Sequence, residues 1–479
     1  MGKEIGMAGG IRFGVMMATL VAFGCSSSPN GGGTGGSSGG TGSGAFGGQA
    51  SGSGAGGSTG SDAGTVSGMQ EGGGADAVAP PGAFTFVSPV QGSSAQPLTP
   101  DLQWGAADGA DSYTVEVATS TTFGATNVLS QSVVAPATDL TVAGSTLTAG
   151  VIYYWRVTAV NAAGSTVATG APRRFSSPYV VAGAHGVAVT PDGTTLVVAS
   201  DVNGGPIDII DLTTHAITSI STGVASQPMG VAISPDGTQA LATLLTNGNG
   251  GVNGVAVIDL TTKSLAGTVA DPCVATTLSD VAYFPSGTEA AIPDLSGSCA
   301  AMGLNTFAPS LGTPNFAFVN FDDTNDPSGV AVSPDGAFAL VTMELDHLLY
   351  KVTFPGTVSH ISLSSTSAGV AITPDGTKAV VAEATVDVIS LADNSITPIA
   401  LTSDTPGNDF HNVAITPDGT EAVVVGSASV QVLSLTNNTI LSSYPDPAGD
   451  ETSVAVSTDG KTAFVTDKGN GWVRVLQIP

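Results

Sequence analysis

Along the C-terminal part of the chain, short apolar runs alternate with short polar ones, and the alternation repeats. Each run of the form Val-Ala-Val/Ile is followed by Thr/Ser-Pro-Asp-Gly. The copies read VAVTPDG at 187–193, VAISPDG at 231–237, VAVSPDG at 330–336, and VAITPDG at both 370–376 and 413–419. Weaker copies, VAYFPSG at 281–287 and VAVSTDG at 454–460, bring the number to seven, with their last glycines 40 to 50 residues apart. Within one period, 187–189 reads as a strand buried on both faces. Thr190-Pro191-Asp192-Gly193 reads as a turn: Pro presets φ, Asp bonds its own backbone and Gly accepts positive φ. Segments 195–200, 207–212 and 216–221 follow as three more strands, the last more polar. Four antiparallel strands at this period predict a propeller, because one blade cannot bury both of its faces alone. The seventh copy holds only three strands (454–456, 462–466 and 472–477). The segment 179–182, just ahead of the first copy, is expected to supply the fourth and close the ring.

Upstream the pattern changes. Over residues 84–177, segments 102–104, 113–117, 138–142 and 153–159 alternate apolar and polar positions between Gly, Pro and Asp, as in a β-sandwich. Residues 26–83 are mostly Gly, Ser, Ala and Thr with no Lys or Arg, a composition that cannot bury enough apolar surface to fold. As a coil, this tether spans about 40 Å. Residues 1–25 place Lys3 and Arg12 ahead of an apolar stretch at 13–23 and then Gly24-Cys25, a secretion signal too short to span a membrane permanently. The expected fold class is all-β: a sandwich, then a seven-bladed propeller, after a disordered tether.

Three resemblances add to this reading. Residues 178–479 resemble the YVTN-type propeller repeats of bacterial and archaeal surface proteins, which share their fold with lactonase-like and quinoprotein-type propellers. The Pro-Asp-Gly turn with its short apolar strand carries the match. Ala463-Phe464-Val465-Thr466-Asp467 comes nearest to the name-giving tetrapeptide, and Leu196-Val197-Val198-Ala199 departs from it. Residues 84–177 resemble a fibronectin type III domain, with Trp104 as the inner-core tryptophan and Leu147-x-x-Gly150-x-x-Tyr153 matching the tyrosine-corner spacing. Ala22-Phe23-Gly24-Cys25 resembles the lipobox of bacterial lipoproteins. That resemblance implies lipid on Cys25 and attachment to the cell envelope, at the outer membrane in a two-membrane cell because Ser26 rather than Asp follows.

The chain carries 38 acidic and 11 basic residues, a net charge of -27, which argues against nucleic acid or an anionic lipid surface as partner. Of three cysteines, Cys273 and Cys299 remain once Cys25 takes lipid. They read as a disulfide or a metal pair, and export favours the disulfide.

Strand order sends the connections into each first strand, and those between second and third strands, to one rim. Acidic residues gather in these connections: Asp322, Asp326, Asp404, Asp409, Asp446 and Asp450 in the former, and Asp201, Asp294, Glu344, Asp346, Glu383 and Asp467 in the latter. They read either as solvated loops or as oxygen ligands for a hard cation such as calcium. His185 and His411 stand two residues ahead of their repeats, at the mouth of the channel, with Asp280 at the adjacent position of the third repeat. They read as polar lining or as a metal or acid–base site. Outside the Gly/Ser-rich tether no Gly-x-Ser-x-Gly is present, and the chain has no His-Glu-x-x-His or Cys-x-x-Cys-His motif. The expected function is a non-catalytic binding propeller on an envelope lipoprotein, its ligand a protein, a carbohydrate or a cationic partner. The alternative is a metal-dependent, lactonase-like hydrolase using rim carboxylates and histidines.

Overall fold

The computed structural model describes residues 78–479 apart from 224, 247–252, 271–279, 295–301, 310–316, 322–326, 384, 400–409, 427–428 and 446–448. Among the described residues every regular element is a β-strand. Seven four-stranded antiparallel sheets follow one another as blades 1 to 7. Their inner strands are Ala184–Val189, Ser226–Ile233, Ala282–Tyr283, Pro327–Val332, Gly369–Ile372, Phe410–Ile415 and Glu451–Val456. Six blades use four consecutive strands. Blade 7 joins Glu451–Val456, Thr462–Asp467 and Trp472–Gln477 to Tyr179–Val180, as expected for ring closure. The closing strand is shorter than the sequence suggests. Trp472 pairs with Val180 and Val473 with Tyr179, and the Val181 N–H then donates to the Gly471 carbonyl at 2.9 Å.

The repeated turn has one construction. In blade 1, Thr190 Oγ1 donates to Asp192 Oδ1 (2.6 Å) and the Thr194 N–H donates to the same oxygen (3.0 Å). Gly193, at φ 71°, closes the turn by donating its N–H to the Thr190 carbonyl at 2.8 Å. These donors, the hydroxyl first, hold the Asp192 carboxyl below the usual carboxylate range, and Asp236, Asp375 and Asp418 are held down in the same way. The repeated aspartate therefore builds a turn and is not a repeated reactive acid. The turns also stack around the ring. A Cβ added to Gly237 would sit 3.4 Å from Pro191 Cδ, one on Gly419 3.3 Å from Pro374, and one on Gly460 3.6 Å from Pro417. Blade 7 carries Thr458 where the other six carry proline, and Gly193 of blade 1 closes the circle against it.

Burial peaks one strand further out than the pattern predicts. Ala188 and Val189 of the inner strand are partly exposed, whereas Leu196, Val197, Val198 and Ala199 of the second strand are fully buried. The reason is geometric: one side of an inner strand lines a cavity, and only the second and third strands are covered by neighbours on both faces. Each seam between blades then has its own apolar cluster. Between blades 7 and 1 it joins Phe464 and Val475 to Val198 and Ile210.

The sandwich has one sheet of Phe86–Ser88, Asp101–Trp104 and Asp139–Thr141. The other contains Asn127–Val134, Ser112–Ala118, Ile152–Asn161 and Gly164–Val167, with Arg173–Ser176 also paired to Ile152–Asn161. Trp104 lies in its core beside the more enclosed Trp155. The Tyr153 hydroxyl accepts the Thr148 N–H at 2.7 Å, the bond that the corner spacing implies. The eight-residue strand Asn127–Val134 was not legible in the sequence, because it is mostly exposed and only Leu129 and Val133 pack, partly buried, on the core.

The sandwich packs on blade 7. Ser176 Oγ donates to the Val475 carbonyl at 2.6 Å, Tyr154 Oη to Gln477 Oε1 at 3.1 Å and Arg174 Nη1 to the same oxygen at 3.0 Å. These bonds cover the edge of the strand Trp472–Gln477 beyond the point where its two-residue partner ends. The signal segment and all but the last few residues of the tether lie outside the described residues.

Candidate functional site

The inner strands converge on a cavity of about 340 Å³. Residues just ahead of the repeats line it: Gly186, Gly230, Asp280, Gly329, Asn412 and Ser453, with Gly369 at the same place in blade 5. Adjacent inner strands approach so closely here that a Cβ on Gly186 would lie 2.0 Å from the Met229 carbonyl oxygen. One on Gly329 would lie 2.4 Å from the oxygen of Ala368. Asp280 occupies the same position by bonding across the seam. Its Oδ2 accepts the Val330 N–H of blade 4 at 3.1 Å, and its Oδ1 accepts the Val281 N–H at 2.8 Å. Burial pushes the Asp280 carboxyl up to about 6, while the two backbone donors pull it down.

One residue further back stand His185, Met229, Ser328, Ala368, His411 and Thr452, all on the same wall. The structure thus brings His185, His411 and Asp280 to one cavity, where Glu344 joins them from blade 4. The Met229 carbonyl of blade 2 lies beside the His185 ring and favours its protonated form. His185 Nδ1 is buried without a partner among the described residues. Burial holds the imidazole below its ordinary range against the opposing charge of Asp201, which is itself ion-paired to Lys468. Among the described residues, no three His, Cys, Asp or Glu side chains come together closely enough to hold a metal ion.

Several carboxylates read as rim residues lie elsewhere. Asp294, Glu383 and Asp467 are at most 1% exposed, each standing at or just past the end of a second strand where its surroundings enclose it. Glu451, in the connection that carries Asp450, is fully buried and paired with Arg474. Asp450 stays near the surface, its N–H donating to Asp467 Oδ1 at 3.3 Å and its carbonyl accepting the Lys468 N–H at 2.9 Å. Asp322, Asp326, Asp404, Asp409 and Asp446, together with Cys25, Cys273 and Cys299, lie outside the described residues. Sequence reasoning missed Asn412, Ser453 and Thr452 as cavity residues. The signal was available: they stand at or next to the position that is glycine in four repeats.

No protein-family model and no curated protein matches the sequence. Solved structures match the fold. Hydrazine synthase of Kuenenia stuttgartiensis superposes with a TM-score of 0.54 at 18% identity, over 62% of this chain and 96% of its own. The Cps50 (Swd1) β-propeller domain of Myceliophteria thermophila superposes with a TM-score of 0.53 at 10% identity, over 63% of this chain and 98% of its own. The share of this chain covered is close to the share that its seven blades occupy. At these identities the likeness establishes a β-propeller and carries no activity with it.

Proposed function

We propose that this chain is an envelope-anchored binding protein whose propeller receives a small cationic or donor-rich ligand in its central cavity, without catalysing a reaction on it. One observation carries the reading. The described lining includes Asp280, Glu344, Asn412, Ser328, Thr452 and Ser453 but no lysine or arginine. Such a wall offers acceptors and negative charge to ammonium or hydroxyl groups. The two groups best placed for acid–base work are engaged elsewhere. Asp280 accepts two backbone N–H groups, and His185 is buried with the Met229 carbonyl of the next blade beside its ring. Both face a neighbouring blade, and Asp280 is bonded to it, which favours binding over hydrolysis.

The anchoring half of the reading rests on the lipobox-like Ala22-Phe23-Gly24-Cys25 and the Gly/Ser-rich segment after it. On this reading the chain is exported, lipidated at Cys25, held at the outer membrane or cell surface, and stapled by a Cys273–Cys299 disulfide. A palmitate analogue is expected to label the wild type and to miss Cys25→Ala.

The binding half is tested by calorimetric titration with ethylenediamine, spermidine and choline, with glucose as the neutral control. At least one cation is expected to bind, and Glu344→Gln to weaken it about tenfold, the value of one charge-assisted contact. Absence of binding by all three cations, or equal affinity in Glu344→Gln, would refute the reading. Metal-stimulated turnover of a lactone by the purified propeller would replace it with the hydrolase alternative.

A further inference from the structure

Two positions recur at the end of each second strand and on the facing third strand, and together they place a pair of side chains in the seam between blades. The third-strand position is fixed by register: Asp208 pairs with Val198, Asn305 with Ile292 and Asp387 with Val381, each partner five residues after the turn glycine. Seven residues after that glycine stand Ser200, Asp294 and Glu383. Blade 1 therefore sets a hydroxyl against an acid, and Asp208 is also served by the Ser219 hydroxyl. Blade 3 sets an acid against an amide, with Asn305 Nδ2 donating to Asp294 Oδ2 at 2.6 Å. Blade 5 sets an acid against an acid.

Glu383 and Asp387 are each 1% exposed. Glu383 Oε2 is well supplied: it accepts from Ser364 Oγ at 3.1 Å, from the Ser365 N–H at 2.9 Å and from Ser365 Oγ at 2.7 Å. Its Oε1, and both oxygens of Asp387, have no donor among the described residues. Burial is the largest influence on both carboxyls. Glu383 acts on Asp387 as a hydrogen-bond partner that draws its carboxyl down against burial, no charge of Lys351, His347 or His360 in blade 4 acts on it, and Lys378 of its own blade reaches away to the Leu435 carbonyl at 2.8 Å. Two negative charges cannot share so enclosed a space without neutralisation.

We propose that Glu383 and Asp387 hold one proton between them, and that its loss as pH rises loosens the seam between blades 4 and 5. The proton lies between Glu383 Oε1 and one oxygen of Asp387 and belongs to the pair, while Glu383 Oε2 stays on its three donors. Burial, with Asp387 adding its repulsion, pushes Glu383 up to about 7, and Asp387 is raised as well. A carboxyl raised on folding binds its proton more tightly in the closed seam than in an open one. Closure is therefore favoured fully below the ordinary carboxylate range, weakens as pH climbs from about 4.5 toward 7, and is at its weakest above that. The segment that Glu383 anchors, from Ser364 to Ala368, leads into the cavity wall. The Ala368 carbonyl there accepts from Thr342 Oγ1 at 2.7 Å and Ser328 Oγ at 3.1 Å. The proposal stands whether or not that cavity takes a ligand.

The test is hydrogen exchange of the full-length protein at pH 5.5 and pH 8, corrected for intrinsic exchange. Peptides covering 361–390 are expected to open at least tenfold more often at pH 8, while the corresponding peptides of blade 3 change little. Asp387→Asn places a permanent amide donor where the proton sits, as Asn305 does in blade 3, and is expected to abolish the pH effect. Glu383→Gln provides a second variant with the same expectation. Equal corrected protection at both pH values overturns the proposal, as does a pH effect that survives in both variants. If millimolar calcium instead restores protection at pH 8 in the wild type and not in the variants, the pair is a cation site and the shared proton is refuted.

Discussion

Arg474 and Glu451 form an ion pair inside blade 7, their side chains 4% and 0% exposed. The guanidinium also reaches out of the propeller: its Nε and Nη2 donate to Ser94 Oγ of the sandwich at 3.0 and 2.8 Å. One side chain thus joins the start of an inner strand, the third strand of the same blade and the neighbouring domain, at the blade whose closing strand has two residues.

Removing Arg474 leaves Glu451 charged and enclosed. Arg474→Ala is expected to cost about 3–5 kcal/mol, the usual penalty for stranding one member of a buried pair. Arg474→Met with Glu451→Gln should recover much of that loss, because no buried charge is then left alone. Urea denaturation of the two variants measures both, and equal losses would show that packing rather than charge dominates here.

Gly186 faces the Met229 carbonyl across a seam with no room for a methyl group. Gly186→Ala is expected to destabilise by about 1–3 kcal/mol or more, since the strands must part to admit a Cβ. Ser453→Ala, at the matching position of blade 7 where a side chain already fits, should lie within about 0.5–1 kcal/mol of wild type. Thermal unfolding of the two compares them directly, and similar losses would mean that the glycine answers to something other than close approach.

Calcium is expected to raise the melting temperature by relieving repulsion among Asp322, Asp326, Asp404, Asp409, Asp446 and Asp450. A ligand that binds only the folded state adds about 2.7 kcal/mol at a hundredfold excess over Kd. The rise should exceed that produced by sodium chloride of equal ionic strength and should be blunted by Asp322→Asn with Asp326→Asn. A calcium effect no larger than that of matched salt would leave these loops as solvated surface.

Seven copies of one turn phrase were enough to read the blades, because Pro, Asp and Gly at fixed offsets have few other local solutions. Closure by a segment ahead of the first repeat was legible too, since the last copy ran short of a strand. What was not legible was which polar residues meet. Glu383 and Asp467 read as rim acids from their place in the chain, yet each is buried at or just past the end of a second strand. Glu451 follows Asp450 in an acidic stretch of the sequence, and its partner lies twenty-three residues away on another strand.

The local pattern by itself determined the period, the turns, the number of blades and the register that lines His185, Asp280 and His411 along one wall, because hydrogen-bonded turns and alternating strands are short-range physics. Only the tertiary structure decided how open that wall is, which acids are buried, and that Glu383 confronts Asp387 while Asp294 meets an amide. Those outcomes depend on what covers each strand end. Covering is a property of neighbouring blades that sit close in space and forty or more residues apart along the chain.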